Sequence, residues 1–290
     1  MPDRPQNLLR KWLERQLSAQ DGEWLNDQLA RLEAEPSDRT LHIALGMVPR
    51  RLGKGDLALQ ADDLKAAEAA RPGWDPRGWS VDQAARILIL CSLAGRNDEF
   101  ASLFAGLCQT ADAAEAITLY SGLPLFPDPQ SLEAQAAEGL RTNMRAIFEA
   151  VAHNSPFPRE RFDENRWNHM VLKALFIGST LWPIQGLDER ANPELARILR
   201  DYAHERWAAG RPVTPELWRC VGPFADTPEA LADLERVAES PLDIDRQAAA
   251  LALAASPAPK AAEMLEALDA GLKDAIVSGS LTWKSVSEKL

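Results

Sequence analysis

The sequence predicts an all-α protein, built as an α-solenoid-like stack of antiparallel helices that is similar to a HEAT or TPR superhelix. Ala, Leu, Glu and Arg, which all favour helices, fill most of its segments. No segment of useful length alternates apolar and polar residues as a strand does, and only two tyrosines occur. The twenty prolines and sixteen glycines cluster between the helical runs, where they end helices.

The composition excludes several other classes of protein. Hydrophobic residues make up 46% and charged residues 26%, which is typical of a packed chain and not of a disordered one. The net charge of −11 argues against nucleic-acid binding, because that binding needs a basic face. The longest apolar run, Ile87–Leu93, is too short to cross a bilayer, and no secretory signal follows the first residues. Three widely spaced cysteines offer no disulfide framework and indicate buried free thiols, so we predict a cytoplasmic protein.

Residues 1–35 are predicted to form an amphipathic helical hairpin. Apolar residues lie on one face of residues 6–18 and charged residues on the other, and a second helical run follows. The chain is expected to turn near Asp21 and Gly22. The apolar face suits either packing on the rest of the protein or docking on a partner or on the inner membrane surface.

Residues 36–225 are predicted to form the body of the protein. Helical patterns fall at residues 39–48, 56–70, 81–93, 98–108, 112–120 and 131–152. The segment Arg86–Leu93 is apolar on nearly every side, which predicts a buried central helix. Two tryptophans in the loop Arg71–Trp79 favour a pinned loop over a binding cage.

Two further helices of this body carry most of the polar residues of interest. Prolines exclude a helix at His153–Pro158, and the next helix begins near Asp163. Asn192 and Pro193 then start a helix in the expected way, with Asn as N-cap and Pro at the first helical position. This helix is expected to run to about Ala209.

Residues 226–290 are predicted to add HEAT-like helices at the C-terminal end. The helices are expected at residues 227–240, 243–255 and 259–278. Asp245–Leu253 is similar to the second half of a HEAT-type repeat. Since no linker cuts the chain, we predict one domain over residues 1–290.

A dense group of polar and aromatic residues between 153 and 207 predicts a pocket. Asn165, His169 and Lys173 are spaced four apart, so they share one helix face. In a pocket, His169 could carry a proton, Lys173 could pair with an anion and Asn165 could position the ligand. The alternatives are an exposed row and a buried polar network that fixes helix packing. The candidate set comprises His153, Asn154, Asp163, Asn165, Trp167, Asn168, His169, Lys173, Asp188, Arg190, Asn192, Tyr202, His204 and Glu205.

The matches to established catalytic and cofactor motifs in this sequence are incomplete. His204-Glu205 begins an H-E-x-x-H motif, but the second histidine is missing. Gly53–Ala58 satisfies a loose G-x-G-x-x-A without the strand and βαβ pattern that a dinucleotide site needs. We therefore predict no cofactor and no metal ligand set.

Several long phrases of the chain resemble the EboA family. The match is tight from about residue 119 to residue 224. The phrases are Tyr120–Leu125, His153–Phe157, Phe162–Asn168, Leu172–Phe176, Leu187–Ala196 and Asp201–Arg211. The resemblance supplies no catalytic residue for this chain.

The resemblance implies a context for the protein. Family members are encoded beside a prenyltransferase-like membrane protein and three enzyme-like proteins, in clusters associated with making or moving a small metabolite. We therefore predict an accessory or scaffold protein that binds a metabolite or partner proteins of the same gene cluster. The alternative is an enzyme of that pathway, with an acid–base or metal site between the helices starting at Asp163 and Pro193.

Overall fold

The computed structural model describes residues 3–34, 37–93 and 97–290. Within these ranges the chain forms eighteen α-helices and no β-strand, and the all-α prediction is confirmed. No helix among the described residues combines the length and the apolar character needed to cross a bilayer. The solenoid-like stacking is not tested and stays a prediction.

The chain divides into two compact units, Met1–Phe162 and Asp163–Leu290. The first unit contains ten helices within its described residues. They are α1 (Pro5–Gln16), α2 (Ala19–Ala34), α3 (Asp38–Arg51), α4 (Ala61–Ala70), α5 (Val81–Cys91), α6 (Asn97–Thr110), α7 (Ala113–Ser121), α8 (Glu133–Arg141), α9 (Arg145–Ala152) and α10 (Phe157–Arg161). The single domain predicted for residues 1–290, with segments 1–35, 36–225 and 226–290, stays a prediction.

Helix α5 forms the centre of the first unit, as predicted. Ser80 caps it through a capping box with Gln83, and nearly every residue from Val81 to Cys91 is buried. It packs against α1, α2, α3 and α7. Burial raises the pKa of the Cys91 thiol to about 12, so this cysteine stays protonated as a structural residue.

Three tryptophans join α1 to the loop before α5. The ring centroids of Trp12 and Trp74 lie 5.5 Å apart, and those of Trp74 and Trp79 lie 5.9 Å apart. All three rings are buried, which confirms that the loop is pinned. The apolar face of α1 packs within this unit, and the predicted membrane contact through residues 6–18 remains untested.

Several sequence-based expectations about helix ends in this unit are wrong. The helix predicted over residues 56–70 begins only at Ala61, where Gln60 and Asp63 form its capping box. Asp21 and Gly22 do not form a turn but lie inside α2, because the Ser18 hydroxyl accepts a hydrogen bond from the Asp21 amide and starts the helix earlier. The single helix predicted over residues 131–152 is broken between Arg141 and Arg145. There Thr142 adopts an extended backbone and its hydroxyl accepts from the Met144 amide.

The stretch His153–Pro158 was also expected to contain no helix, but α10 begins at Phe157. Pro158 lies in the first turn of α10, where a backbone N–H is not needed for the helix.

The second unit contains eight helices. They are α11 (Glu164–Phe176), α12 (Pro193–Ala208), α13 (Trp218–Val221), α14 (Pro228–Ala238), α15 (Asp243–Ala255), α16 (Pro259–Ala267), α17 (Ala270–Val277) and α18 (Trp283–Ser287). The helix predicted over residues 259–278 is therefore two helices. Leu268 ends the first with an extended backbone, and Asp269 caps the second by accepting from the Gly271 amide.

Helix α15 lies at the centre of this unit and packs against α13, α14 and α16. Gly222 makes a close approach to α15, because a Cβ at this position would lie 2.7 Å from the backbone oxygen of Ala252. Glu216 is buried and accepts hydrogen bonds from the amides of Leu181 and Trp182, at 2.8 and 2.9 Å. It therefore fixes the long loop between α11 and α12.

Candidate functional site

Five residues of the predicted set meet where α11 and α12 begin. Asn168 Nδ2 donates to Asn192 Oδ1 at 3.2 Å, and Asn192 Nδ2 donates to Asn168 Oδ1 at 2.9 Å. Asn192 Oδ1 also accepts from the Leu195 amide and so caps α12. We call Asp163, Trp167, Asn168, Arg190 and Asn192 the amide network.

Arg190 of the amide network lies over the buried Trp167 ring. The guanidinium carbon of Arg190 lies 4.6 Å from the ring centroid. Burial lowers the pKa of Arg190, while the carboxylates of Asp163 and Glu164 oppose that shift. Asp163 caps α11 by accepting from the Arg166 amide at 2.7 Å. Within the amide network, the Trp167 indole N–H is buried and has no acceptor among the described residues.

The predicted row on α11 lies on a different face from Asn168. Asn165 and His169 are exposed, and Lys173 is half-buried. Burial lowers the pKa of the Lys173 ammonium from its ordinary value.

Asp188 forms an ion pair outside the amide network. Its two carboxylate oxygens accept from Arg219 Nε and Nη2, at 2.6 and 2.7 Å. The Arg219 guanidinium lies over Trp182, 5.1 Å from the ring centroid. Asp188 therefore ties the loop between α11 and α12 to α13.

His204 and Arg200 of α12 share one carboxylate of α14. His204 Nε2 lies 2.6 Å from Asp233 Oδ1, and Arg200 Nε donates to Asp233 Oδ2 at 2.7 Å. Asp233 is buried, whereas Glu205 beside the histidine is exposed. The predicted set did not include Asp233, because its partners are some thirty positions away in the sequence.

His153 and Asn154 belong to the first unit, where both line a pocket of about 250 Å³. Asn154 has a positive φ of 53°, and its carbonyl accepts from the Asp75 amide at 3.1 Å. This contact fixes the loop Arg71–Trp79 at one edge of the pocket. Among the described residues, no group of three or more His, Cys, Asp and Glu side chains is arranged to hold a metal ion.

A larger pocket, of about 710 Å³, lies within the second unit. Its walls come from the end of α12, the segment 212–218, the end of α14 and the start of α15. Tyr202 is the member of the predicted set that lines it. We call it the Trp207 pocket, and its main lining residues are Tyr202, Arg206, Trp207, Trp218, Arg236 and Leu242.

Aromatic rings form one wall of the Trp207 pocket. Trp207 stacks on Trp218 with centroids 5.6 Å apart and planes inclined by 20°. The His204 ring also stacks on Trp207, at 5.6 Å. The Arg236 guanidinium lies over the Trp207 ring, with its carbon 4.1 Å from the centroid.

The two arginines of the pocket differ from several other arginines of this unit. Arg206 Nε donates to the Pro212 carbonyl at 3.0 Å. Within the described part of the chain, neither Arg206 nor Arg236 has a carboxylate at ion-pair distance. Arg197, Arg200 and Arg219 are all paired with carboxylates. The pocket therefore presents guanidinium groups that no acidic side chain neutralises directly.

Most residues of the pocket wall were not predicted from the sequence. Trp218, Arg236 and Leu242 were outside the predicted set, although Trp207 and Trp218 flank a Gly- and Pro-containing turn that could have marked an aromatic site. The segments 206–218 and 236–245 are distant in sequence, and only the packing of α12, α14 and α15 brings them together.

The fold and this pocket define a helical protein with room for a small molecule. The family model described as Metabolite traffic protein EboA matches residues 5–222, and the chain belongs to this family. The predicted resemblance is confirmed. No curated protein and no solved structure matches the chain. The matched residues include the α12 side of the Trp207 pocket, whereas Arg236 and Leu242 lie beyond them.

Proposed function

We propose that this protein serves metabolite traffic as a non-catalytic accessory protein that holds a small molecule in the Trp207 pocket. Its family is named for metabolite traffic, which supports the role. The observation that carries the proposal is the pocket itself. A volume of about 710 Å³ falls among those of small-molecule sites, which range from about 300 to 1,000 Å³.

The chemistry of the wall suits holding a ligand. Trp207, held in place by the buried Trp218, and Leu242 present an apolar surface, and the nearby guanidinium groups can fix the orientation of a polar group. Partner proteins of the same gene cluster, including the prenyltransferase-like membrane protein, would receive or deliver the ligand. That part of the proposal rests on the family resemblance alone.

The positions of the histidines favour this proposal over the enzyme alternative. A general base must lie within hydrogen-bond reach of a bound substrate. His169 is exposed on α11, and His204 is bound to Asp233, which Arg200 also engages. Neither histidine is among the residues that line the Trp207 pocket.

The test is native mass spectrometry of the protein purified from its own host. Leu242 lies at the pocket and is 58% exposed, so Leu242→Trp adds bulk there with little risk to the core. Val277→Trp is the matched control, because Val277 is 80% exposed in the same unit and does not line the pocket. Circular dichroism and a thermal melt establish that both variants fold.

We expect a bound small-molecule mass on the wild type and on Val277→Trp, and its loss from Leu242→Trp. A bound mass that persists in Leu242→Trp would contradict the assignment of the pocket. A protein that carries no ligand under any purification condition would contradict the holding function. That result would favour a scaffold that binds partner proteins.

A further inference from the structure

We infer that the Trp207 pocket selects a small organic monoanion with an apolar body, whose anionic group is held by Arg206 and Arg236. This inference rests on the proposed function, since it names the class of ligand for the same pocket. It follows from three features of the wall: unneutralised guanidinium groups, a stacked aromatic surface, and a limited number of carboxylates.

The first feature is the state of the two guanidinium groups. The protein carries a net charge of −11, so acidic partners are abundant, and paired arginines are common in it. Arg206 uses Nε to hold the Pro212 carbonyl, which leaves its terminal nitrogens as donors beside the pocket. A carboxylate, sulfonate or phosphate monoester is the kind of acceptor that fits these donors.

The second feature is the way in which Trp207 supports Arg236. A guanidinium stacked on an aromatic ring keeps its N–H groups in its own plane, where they remain free to bind an anion. The contact at 4.1 Å therefore orients Arg236 without using its hydrogen-bond donors. Trp218 stacks on Trp207 and is itself only 1% exposed, so it holds that ring in place. Leu242 and Ile244 supply the apolar lining of the pocket.

The third feature limits the charge of the ligand. Glu239 and Asp245 also line the pocket, and Asp245 accepts from the Ser240 hydroxyl at 2.6 Å. Two carboxylates beside two guanidinium groups disfavour a polyanion such as a diphosphate, because like charges repel across the pocket. A monoanion whose apolar body lies beside Leu242 and Ile244 satisfies all three features.

A matched pair of fluorescent probes tests this inference on the full-length protein. 8-Anilinonaphthalene-1-sulfonate is an anion with an apolar aromatic body, and N-phenyl-1-naphthylamine has the same rings without the sulfonate. Because the sulfonate accepts charge-assisted hydrogen bonds that the neutral probe cannot form, we expect the wild type to bind the anionic probe about tenfold more tightly.

Variants of the two arginines assign this preference to their guanidinium groups. Arg206→Gln and Arg236→Gln should each weaken binding of the anionic probe by about tenfold and change the affinity for the neutral probe by less than about twofold. Arg206→Lys and Arg236→Lys should restore part of the affinity. Arg141→Gln is the control, since Arg141 is an exposed arginine of the other unit.

The outcomes separate this inference from the proposed function. Leu242→Trp should weaken the binding of both probes. If it does, and the Gln variants still bind both probes as the wild type does, the anionic class is wrong while the pocket assignment stands. If Leu242→Trp leaves both affinities unchanged, the pocket assignment fails and this inference fails with it. Retained binding of the neutral probe shows that the Gln variants are folded.

Discussion

Both the amide network and the Trp207 pocket contain arginine and tryptophan side chains, but the polar side chains of the two regions have different partners. In the amide network, the side chains of Asn168 and Asn192 satisfy each other and join two helices. In the Trp207 pocket, Arg206 and Arg236 have no carboxylate partner among the described residues. The tryptophans differ in the same way, since Trp167 is buried and Trp207 lines a cavity.

The comparison teaches that polar density in a sequence does not distinguish a binding site from a packing device. What distinguishes them is whether the amide and guanidinium side chains find acceptors inside the protein. Amides that satisfy each other contribute to stability and gain nothing from a ligand. An accessible guanidinium beside an aromatic ring can still gain a partner. Variants in the two regions should therefore separate loss of stability from loss of binding.

The largest effect is expected from Trp167→Ala in the amide network. This ring is fully buried, and truncating a buried tryptophan leaves a cavity, so we expect the free energy of unfolding to fall by about 4 kcal/mol. Urea denaturation measures this loss. Phe176→Ala is the control on the same helix, because Phe176 is 74% exposed and should change stability by less than about 0.5 kcal/mol.

The Trp167→Ala substitution should leave the Trp207 pocket intact. While it is folded, this variant should bind both naphthylamine probes as the wild type does. Loss of probe binding from the folded variant would show that the two regions are not independent.

A smaller loss is expected from Asn168→Ala. Removing the Asn168 amide breaks two hydrogen bonds of about 1 kcal/mol each, so we expect a loss of about 2 kcal/mol, while Asn192 keeps its bonds to Leu195 and Arg190. Asn192→Ser removes the same pair from the other side while keeping an N-cap oxygen for α12. In a double-mutant cycle measured by urea denaturation, the double variant should lose about 1 kcal/mol less stability than the sum of the two single losses. Full additivity would contradict the pairing.

The sequence predicted those parts of the fold that depend on local patterns. The apolar run around Ile87 identified the buried helix α5. The start of α11 near Asp163 and the N-cap Asn192 were found because helix starts are read from neighbouring residues. The break between Arg141 and Arg145 was missed because neither glycine nor proline marks it.

The Trp207 pocket could not be predicted in the same way. Its two walls are distant in sequence. The local sequence pattern does not indicate that α14 and α15 pack beside the end of α12. The partner of His204 was missed for the same reason, since Asp233 comes from α14. Candidate residues can thus be found by composition, whereas their grouping depends on tertiary packing.

A paired arginine of the first unit sharpens the contrast with the pocket. Arg71 donates from its terminal nitrogens to both Glu160 oxygens, at 2.8 and 2.6 Å, and this pair holds the pKa of Glu160 below its ordinary value of 4.5. Arg71→Gln should therefore cost about 1 kcal/mol at pH 7, a value typical of a partly exposed pair.

The pH dependence of this loss follows from the direction of the shift. A depressed folded-state pKa stabilises the protein fully above the unfolded pKa, and the stabilisation is lost as the pH falls through the folded pKa. The difference between the wild type and Arg71→Gln should thus shrink below about pH 4.5. Arg236→Gln should show no such dependence, because Arg236 has no carboxylate partner among the described residues. Urea denaturation from pH 3 to pH 7 checks both variants.

The smallest effect is expected from His169→Ala, which tests the pocket predicted on α11. His169 is exposed, and alanine favours the helix, so stability should change by less than about 0.5 kcal/mol. Probe binding and the amount of pathway product made in the host should also stay unchanged. If the folded variant abolished the product, His169 would carry chemistry, and the enzyme alternative would replace the holding function. His204→Ala completes the test, although it also removes a partner of Asp233 and should cost some stability.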